Sequence, residues 1–197
     1  MRKIFIALWF LLPVAVAAYH FGPGQERVSL DKAEAWILKA QAQAEGLEYE
    51  EALASYDSAL SFIPDGEKNV VRCVQLEKAK LQMNCSRLPD AYNSLTTLMD
   101  DLGGETAAPE KLVAETREAL ANSQFYMTWL MRLEGLPREV WEPEIQASRQ
   151  NYRLLAEQAV STGDSTMADK HRTGLESAIK LARMDLAELQ GLPLPSQ

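Results

Sequence analysis

His20, His171, Cys73 and Cys85 are the side chains best suited to hold a metal or attack a substrate, and they are the chain's only histidines and cysteines. Their spacing serves neither purpose. A metal site draws several such donors into one compact set, whereas His20 and His171 lie on distant segments. Cys73 and Cys85 fall on one predicted helix or at its end, where twelve residues rise about 18 Å, and a disulfide needs Cα atoms within about 7 Å. They are expected to be two buried small hydrophobes that do not pair with each other. The carboxylates Asp100 and Asp101, and Glu48, Glu50 and Glu51, sit at the ends of short predicted helices and read as solvated faces. There is no His-Glu-x-x-His pair, Gly-x-Ser-x-Gly elbow, phosphate-cradling glycine loop, haem-attachment motif or Glu-x-x-His pair. The sequence therefore predicts no catalytic residues, no metal and no cofactor. A formal net charge of −8 repels phosphate backbones, so nucleic acid is not an expected partner. Asn84-Cys85-Ser86 is a formal glycosylation acceptor.

With 47% apolar and 24% charged residues, the composition fits one globular domain of roughly 165 residues behind an N-terminal appendage. The appendage, residues 1–21, opens with Arg2 and Lys3 and continues almost purely apolar to Ala18. Ala15-Val16-Ala17 supplies the small-x-small pattern of a removed signal peptide. The run Ile4 to Phe21, about 27 Å as a helix, equally fits a retained anchor. The leading basic residues would then keep the N-terminus in the cytoplasm and put the helical domain across the membrane. The protein is accordingly expected in the cell envelope, anchored through residues 4–21, or secreted or periplasmic if the leader is cleaved.

Residues 22–28, GPGQERV, read as a linker, and Ser29 as the cap of a helix starting near Leu30. Trp36, Ala40 and Ala44 then recur at helical spacing, and after Gly46 so do Ala52, Tyr56, Ala59 and Leu60, up to Pro64. Gly46 permits the left-handed conformation that ends a helix, and Pro64 cannot continue one. Small residues at Ala40, Ala52 and Ala59 let two antiparallel helices approach closely, with Trp36, Tyr49 and Tyr56 filling the space around them.

In order and spacing, residues 33–64 resemble the tetratricopeptide repeat, departing from it at Lys39, where the family has an apolar residue, and at Gly46, which sits one place early. A degenerate second copy at 72–103 follows at an offset of 39 residues, aligning Ala79 with Ala40, Leu88 with Tyr49, Ala91 with Ala52, Leu95 with Tyr56 and Leu98 with Ala59. A third unit at 151–182 matches only at Ala156, Gly163 and Ala168. The expected fold is all-α: tetratricopeptide-like antiparallel hairpins over residues 29–191, stacked with longer C-terminal helices, preceded by one hydrophobic helix and followed by an extended tail, 192–197. Those longer helices are expected at 109–133, from Pro143 to Gly163, and from Ser165 to Gln190.

The resemblance implies a concave surface on which a segment of another polypeptide lies. Carried over by position, its lining is Glu34, Ile37, Gln41 and Glu45 in the first repeat and Cys73, Leu76, Lys80 and Asn84 in the second. The Lys and Asn clamp that some family members close on a C-terminal carboxylate is not matched, because Ile37 and Gln41 occupy that face. The expected function is a non-catalytic scaffold binding another protein or peptide in the cell envelope. The alternative is a helical module holding a small apolar ligand or lipid beside Phe125, Tyr126, Trp129 and Trp141. Residues 125–131 are apolar nearly all round, which predicts an enclosed core helix or, as the alternative, a Met and aromatic surface gripping a partner helix.

Overall fold

In a computed structural model, residues 9, 23–105 and 107–191 are described. Among the described residues after Trp9 there are eight helices: α1 (Pro23–Glu45), α2 (Tyr49–Phe62), α3 (Lys68–Asn84), α4 (Leu88–Gly103), α5 (Glu110–Leu133), α6 (Arg138–Thr162), α7 (Ser165–Arg183) and α8 (Leu186–Gln190). Among the described residues there is no strand, and no helix is long and apolar enough to cross a membrane. Apart from Trp9, the leader lies outside the described residues, as does the tail 192–197. The chain divides into two compact units, Met1–Val74 and Gln75–Gln197, and the division falls inside α3.

The first unit is built on the α1–α2 hairpin. Residues 23–28 are not a linker but the opening turns of α1, where Pro23 loses no hydrogen bond at a first helical position and Glu26 complements the positive helix end. Ser29 is therefore no cap. Its hydroxyl donates to the carbonyl of Phe62 at 2.6 Å, closing the far end of α2, while Ser55 donates to the Gln43 side chain at 2.6 Å. These two bonds mark an antiparallel register. Ala40, Ala52 and Ala59 are fully buried, as two closely approaching backbones require. Lys39 lays its ammonium over the Trp36 ring, 4.6 Å from the centroid, so an exposed lysine covers an aromatic face.

One hairpin turn recurs. α1, α3, α5 and α6 each end with a left-handed residue, Leu47 (φ 62°), Ser86 (φ 60°), Gly135 (φ 73°) and Gly163 (φ 79°). The next amide reaches back five residues in every case, Glu48 to Gln43, Arg87 to Gln82, Leu136 to Met131 and Asp164 to Ala159, at 2.9–3.0 Å. This bond satisfies a carbonyl the helix itself leaves open. In the first hairpin the strained position falls on Leu47 rather than Gly46, one residue later than the glycine suggested. Around three of the four turns, a buried alanine stands seven residues before the left-handed residue and another five after it: Ala40 and Ala52, Ala79 and Ala91, Ala156 and Ala168. The α5–α6 turn breaks the rule, with Thr128 and the exposed Val140 at those places.

In the second unit Leu76, Ala79, Leu95, Leu98, Leu102, Leu112, Ala119 and Leu120 form one core cluster from α3, α4 and α5. Trp129, Ile145, Ala178, Leu181 and Leu189 form another, with Phe125 and Trp141 packed against it. No residue from 125 to 131 is exposed, in keeping with the enclosed helix expected there. Two boundaries differ from expectation. α6 starts at Arg138, and Pro143 sits inside it, close enough to the helix start to forfeit one backbone bond without ending the helix. The last helix is interrupted at Met184 and Asp185, where Asp185 and Glu188 exchange hydrogen bonds in a capping box that starts α8. Arg132 supports the break by donating to the carbonyls of Leu181 and Met184 with its guanidinium over the Trp141 ring. Burial lowers its pKa from the usual arginine value, opposed by nearby Asp185.

Candidate binding cleft

α5 positions the most elaborate surface of the second unit. Glu115, Glu118, Ala119 and Asn122 follow the i, i+3, i+4, i+7 spacing of one helical face. They line a cleft of about 470 Å³ with Lys80, Met83 and Asn84 from the last turns of α3 and Met167 and Lys170 from α7. A second cleft, of about 400 Å³, lies along the same helix and shares Glu115, Glu118 and Met167 with the first. Its other walls are the start of α5, the end of α6 at Gln158 and Thr162, and the start of α7 at Asp164 and His171.

Side-chain bonds hold these walls in register. Tyr152 on α6 donates its hydroxyl to Asn122 Oδ1 at 2.5 Å, and burial, with Glu118 and Tyr126 nearby, raises its pKa above the usual phenolic value. The Tyr152 ring lies so close to Gly174 on α7 that a Cβ there would stand 2.6 Å from a ring carbon. Ser148 donates to the carbonyl of Ala121 at 2.8 Å, and Asn151 to the Gln124 side chain at 3.1 Å. On the opposite flank Tyr92 of α4 donates to Glu144 of α6 at 3.0 Å, and burial together with that carboxylate raises its pKa.

The charges alternate. Lys80 lies 2.7 Å from Glu77 and 3.9 Å from Glu115, Lys111 approaches Glu115 at 3.8 Å, and Lys170 pairs with Glu118. Exposed pairs of this kind add little stability and leave their charges open to a ligand. His171 is different in kind: it is 4% exposed, and its Nδ1 has no hydrogen-bond partner among the described residues. Burial lowers its pKa, with Glu118 and Asp164 opposing and Lys170 assisting. Among the described residues no three His, Cys, Asp or Glu are grouped closely enough to hold a metal ion. The chemistry on offer is recognition: charge, hydrogen bonds and two methionines.

The residues expected from the sequence to line a partner groove are distributed unevenly. Glu34, Gln41 and Glu45 are exposed and Ile37 half-buried on α1, in the first unit. In the second unit Lys80 and Asn84 line the first cleft. Leu76 does not belong with them: at 1% exposure it is a core residue on the α4 and α5 side of α3, so it has no surface to offer a partner. Cys73 is exposed, against the expectation of burial, and Cys85 is half-buried with its thiol donating to the carbonyls of Leu81 and Gln82. Phe125, Trp129 and Trp141 pack on the second core cluster, and Tyr126 meets Phe125 edge to face. None of them lines either cleft, nor a third of about 700 Å³ between α7 and α8 near Ile179, Met184 and Ala187. Sequence reasoning passes over Glu115, Glu118 and Met167, and weighs His171 only as a metal ligand or nucleophile. The i, i+3 pair of glutamates is the available signal, but nothing local says that α7 brings a histidine beside it.

Compared with family models, with curated proteins and with solved structures, the chain matches none of them.

Proposed function

We propose that this chain is a non-catalytic helical scaffold of the tetratricopeptide kind that holds a segment of another polypeptide. We further propose that it works in the cell envelope, exported by its leader and either released or kept at the membrane through residues 4–21. The observation that carries the reading is the threefold recurrence of one hairpin, with a buried alanine seven residues before and five after each left-handed turn residue. Arrays of such units expose long faces suited to extended or helical segments. The joined clefts along α5 have the chemistry for holding one. Methionines shape themselves to irregular apolar side chains, while the rim of Lys80, Glu115, Glu118 and Lys170 reads charge.

Crosslinking in the native cell, followed by purification from the membrane fraction and mass measurement of the mature N-terminus, tests both halves. Recovery of a discrete polypeptide joined to α3, α5 or α7 is the expected result. Recovery of none above background overturns the scaffold, and a mature chain beginning near Ala18 or Tyr19 overturns the anchor but not export.

A further inference from the structure

One side-chain amide in the first cleft is fixed at one end and free at the other. Asn122 lines the cleft from α5, and its Oδ1 accepts the Tyr152 hydroxyl of α6 at 2.5 Å. The Tyr152 ring is itself held against Gly174 of α7, so this bond sets the plane of the carboxamide. The Nδ2 end donates to no described residue, yet it is not sealed from solvent: the closed-off polar atoms without partners include Thr116 Oγ1 and Trp129 Nε1, but not this one. Two N–H donors therefore stand open in a set orientation on a residue of the cleft wall. Asn84, the last residue of α3, lines the same cleft with a second side-chain amide that has no partner among the described residues.

The rest of the lining narrows what fits there. Lys80 meets Glu115 at 3.9 Å and Lys170 pairs with Glu118, so two ammonium and two carboxylate groups answer one another and leave no net charge to be matched. The remaining wall is Met83, Ala119 and Met167, all apolar, and methionines adapt to the shape of an apolar side chain. A helical segment uses its carbonyls internally except in its last turn, and so offers an amide few acceptors. An extended segment carries an uncommitted carbonyl and N–H at each residue, and its side chains alternate between two faces.

We propose that this cleft grips an extended segment of the bound polypeptide by its main chain. Asn122 Nδ2 donates to a backbone carbonyl, Asn84 offers a second such contact, and an apolar side chain of the same segment packs against Met83, Ala119 and Met167. This rests on the scaffold reading and decides, between an extended and a helical ligand, for the extended one. The motif recognised is apolar at alternate residues, not the i, i+3, i+4 stripe of an amphipathic helix. Tyr152 is a positioning residue, holding the amide in the orientation that donates.

The probe is the peptide Ac-Thr-Leu-Thr-Leu-Thr-NH2. Its comparators carry α-aminoisobutyric acid in place of threonine, which holds the peptide helical, or lysine or glutamate in place of leucine. The side-chain amide signals of Asn122 are assigned in 15N-labelled full-length protein by comparison with Asn122→Asp. Saturable movement of those signals with the leucine peptide, and none with the helical or charged ones, is expected. Asn122→Asp keeps the side chain's shape and an oxygen for Tyr152 but loses the donor. It should weaken the midpoint, read from the backbone signals of Ala119 and Met167, about tenfold. Tyr152→Phe leaves the ring against Gly174 and frees the carboxamide to turn, so it should weaken the midpoint about threefold, the cost of ordering one side chain. Circular dichroism shows that each variant keeps its helices. No saturable shift with the leucine peptide, an equal response to the helical one, or an unchanged midpoint in either variant overturns the proposal. The two readings fail separately. A polypeptide crosslinked in the native cell equally by the parent and by Asn122→Asp leaves the scaffold standing and removes the main-chain grip. A peptide response without any crosslinked polypeptide does the reverse.

Discussion

α4 and α5 are neighbours in the second unit, yet α4 buries apolar residues alone while α5 buries as many polar residues as apolar ones. The buried residues of α4 are Leu88, Ala91, Leu95, Leu98 and Leu102, all apolar. Those of α5 include Thr116, Ser123, Gln124, Thr128 and Arg132. An apolar stripe is stabilised simply by leaving water, and it tolerates any neighbour of suitable shape. A polar stripe must find partners or lose the desolvation energy of each group. Thr116 finds none among the described residues; the others find them in two ways. Ser123 and Thr128 donate back to the carbonyls of Leu120 and Gln124 in their own helix. Two others are bound across helices, Gln124 accepting from Asn151 and Arg132 donating to Leu181 and Met184. The lesson is that α4 supplies adhesion, whereas α5 dictates where α6 and α7 must stand, and it is α5 that carries both clefts.

The contrast can be broken most severely at its apolar end. Leu95→Ala removes a fully buried side chain and is expected to cost about 3–4 kcal/mol in urea unfolding. Arg132→Met keeps volume but strips a buried and a part-buried carbonyl of their donor, for an expected loss of about 2–3 kcal/mol. Unlike Leu95→Ala, it should also raise hydrogen exchange selectively at residues 184–190. If both variants lose stability equally and uniformly, the division of labour between the two helices is wrong.

Gly174→Ala sharpens the comparison at the α6–α7 contact. The added methyl meets the Tyr152 ring at 2.6–2.8 Å, for an expected net loss of about 1–2 kcal/mol. In a Tyr152→Ala background the same change should stabilise, by up to about 1 kcal/mol, because only helix propensity remains. Failure of that sign reversal would show that the ring is not what excludes a side chain there.

A smaller effect separates the turns. Leu47 holds a left-handed conformation that Gly135 and Gly163 take without penalty, so Leu47→Gly should gain about 0.5–1 kcal/mol. A loss instead would mean that the exposed Leu47 side chain makes a contact worth more than the strain.

The smallest expected effect lies at His171. Burial holds its pKa below the ordinary 6.5, so the unfolded chain binds the proton first, and stability rises with pH through that window and falls as pH drops below 6.5. Glu118 and Asp164 oppose this shift and Lys170 adds to it. His171→Gln should flatten the pH dependence of the unfolding midpoint between about pH 5 and 7, while a slope that survives the substitution would assign it to other groups.

Much of the architecture is legible in residue order. Alternation of small and bulky residues at helical spacing marks the α1–α2 hairpin, and the 39-residue offset that pairs Ala52 with Ala91 also relates the left-handed residues Leu47 and Ser86. Those signals are local, since a helix face and a turn are set by residues within a few positions of one another. The misreadings are equally local in origin. Residues 22–28 lack apolar periodicity and so read as a linker, although a solvated helix needs none. Pro143 reads as a helix start because proline is commonest there. In the first hairpin Glu34, Gln41 and Glu45 are exposed and Ile37 half-buried, but Leu76 turns inward because its helix faces α4 and α5 on that side.

What the chain alone determined, then, is that it forms helices, where most of them stop, and which alanines are buried among them. Only the tertiary structure decided which flank of α3 is core, that the last helix breaks over Arg132, and that Glu115, Glu118 and His171 border one cleft. The physical reason is that propensity and periodicity act over a turn or two of backbone. Convergence of charges from α5 and α7 depends on crossing positions set by many weak contacts at once, the Tyr152 ring against Gly174 among them.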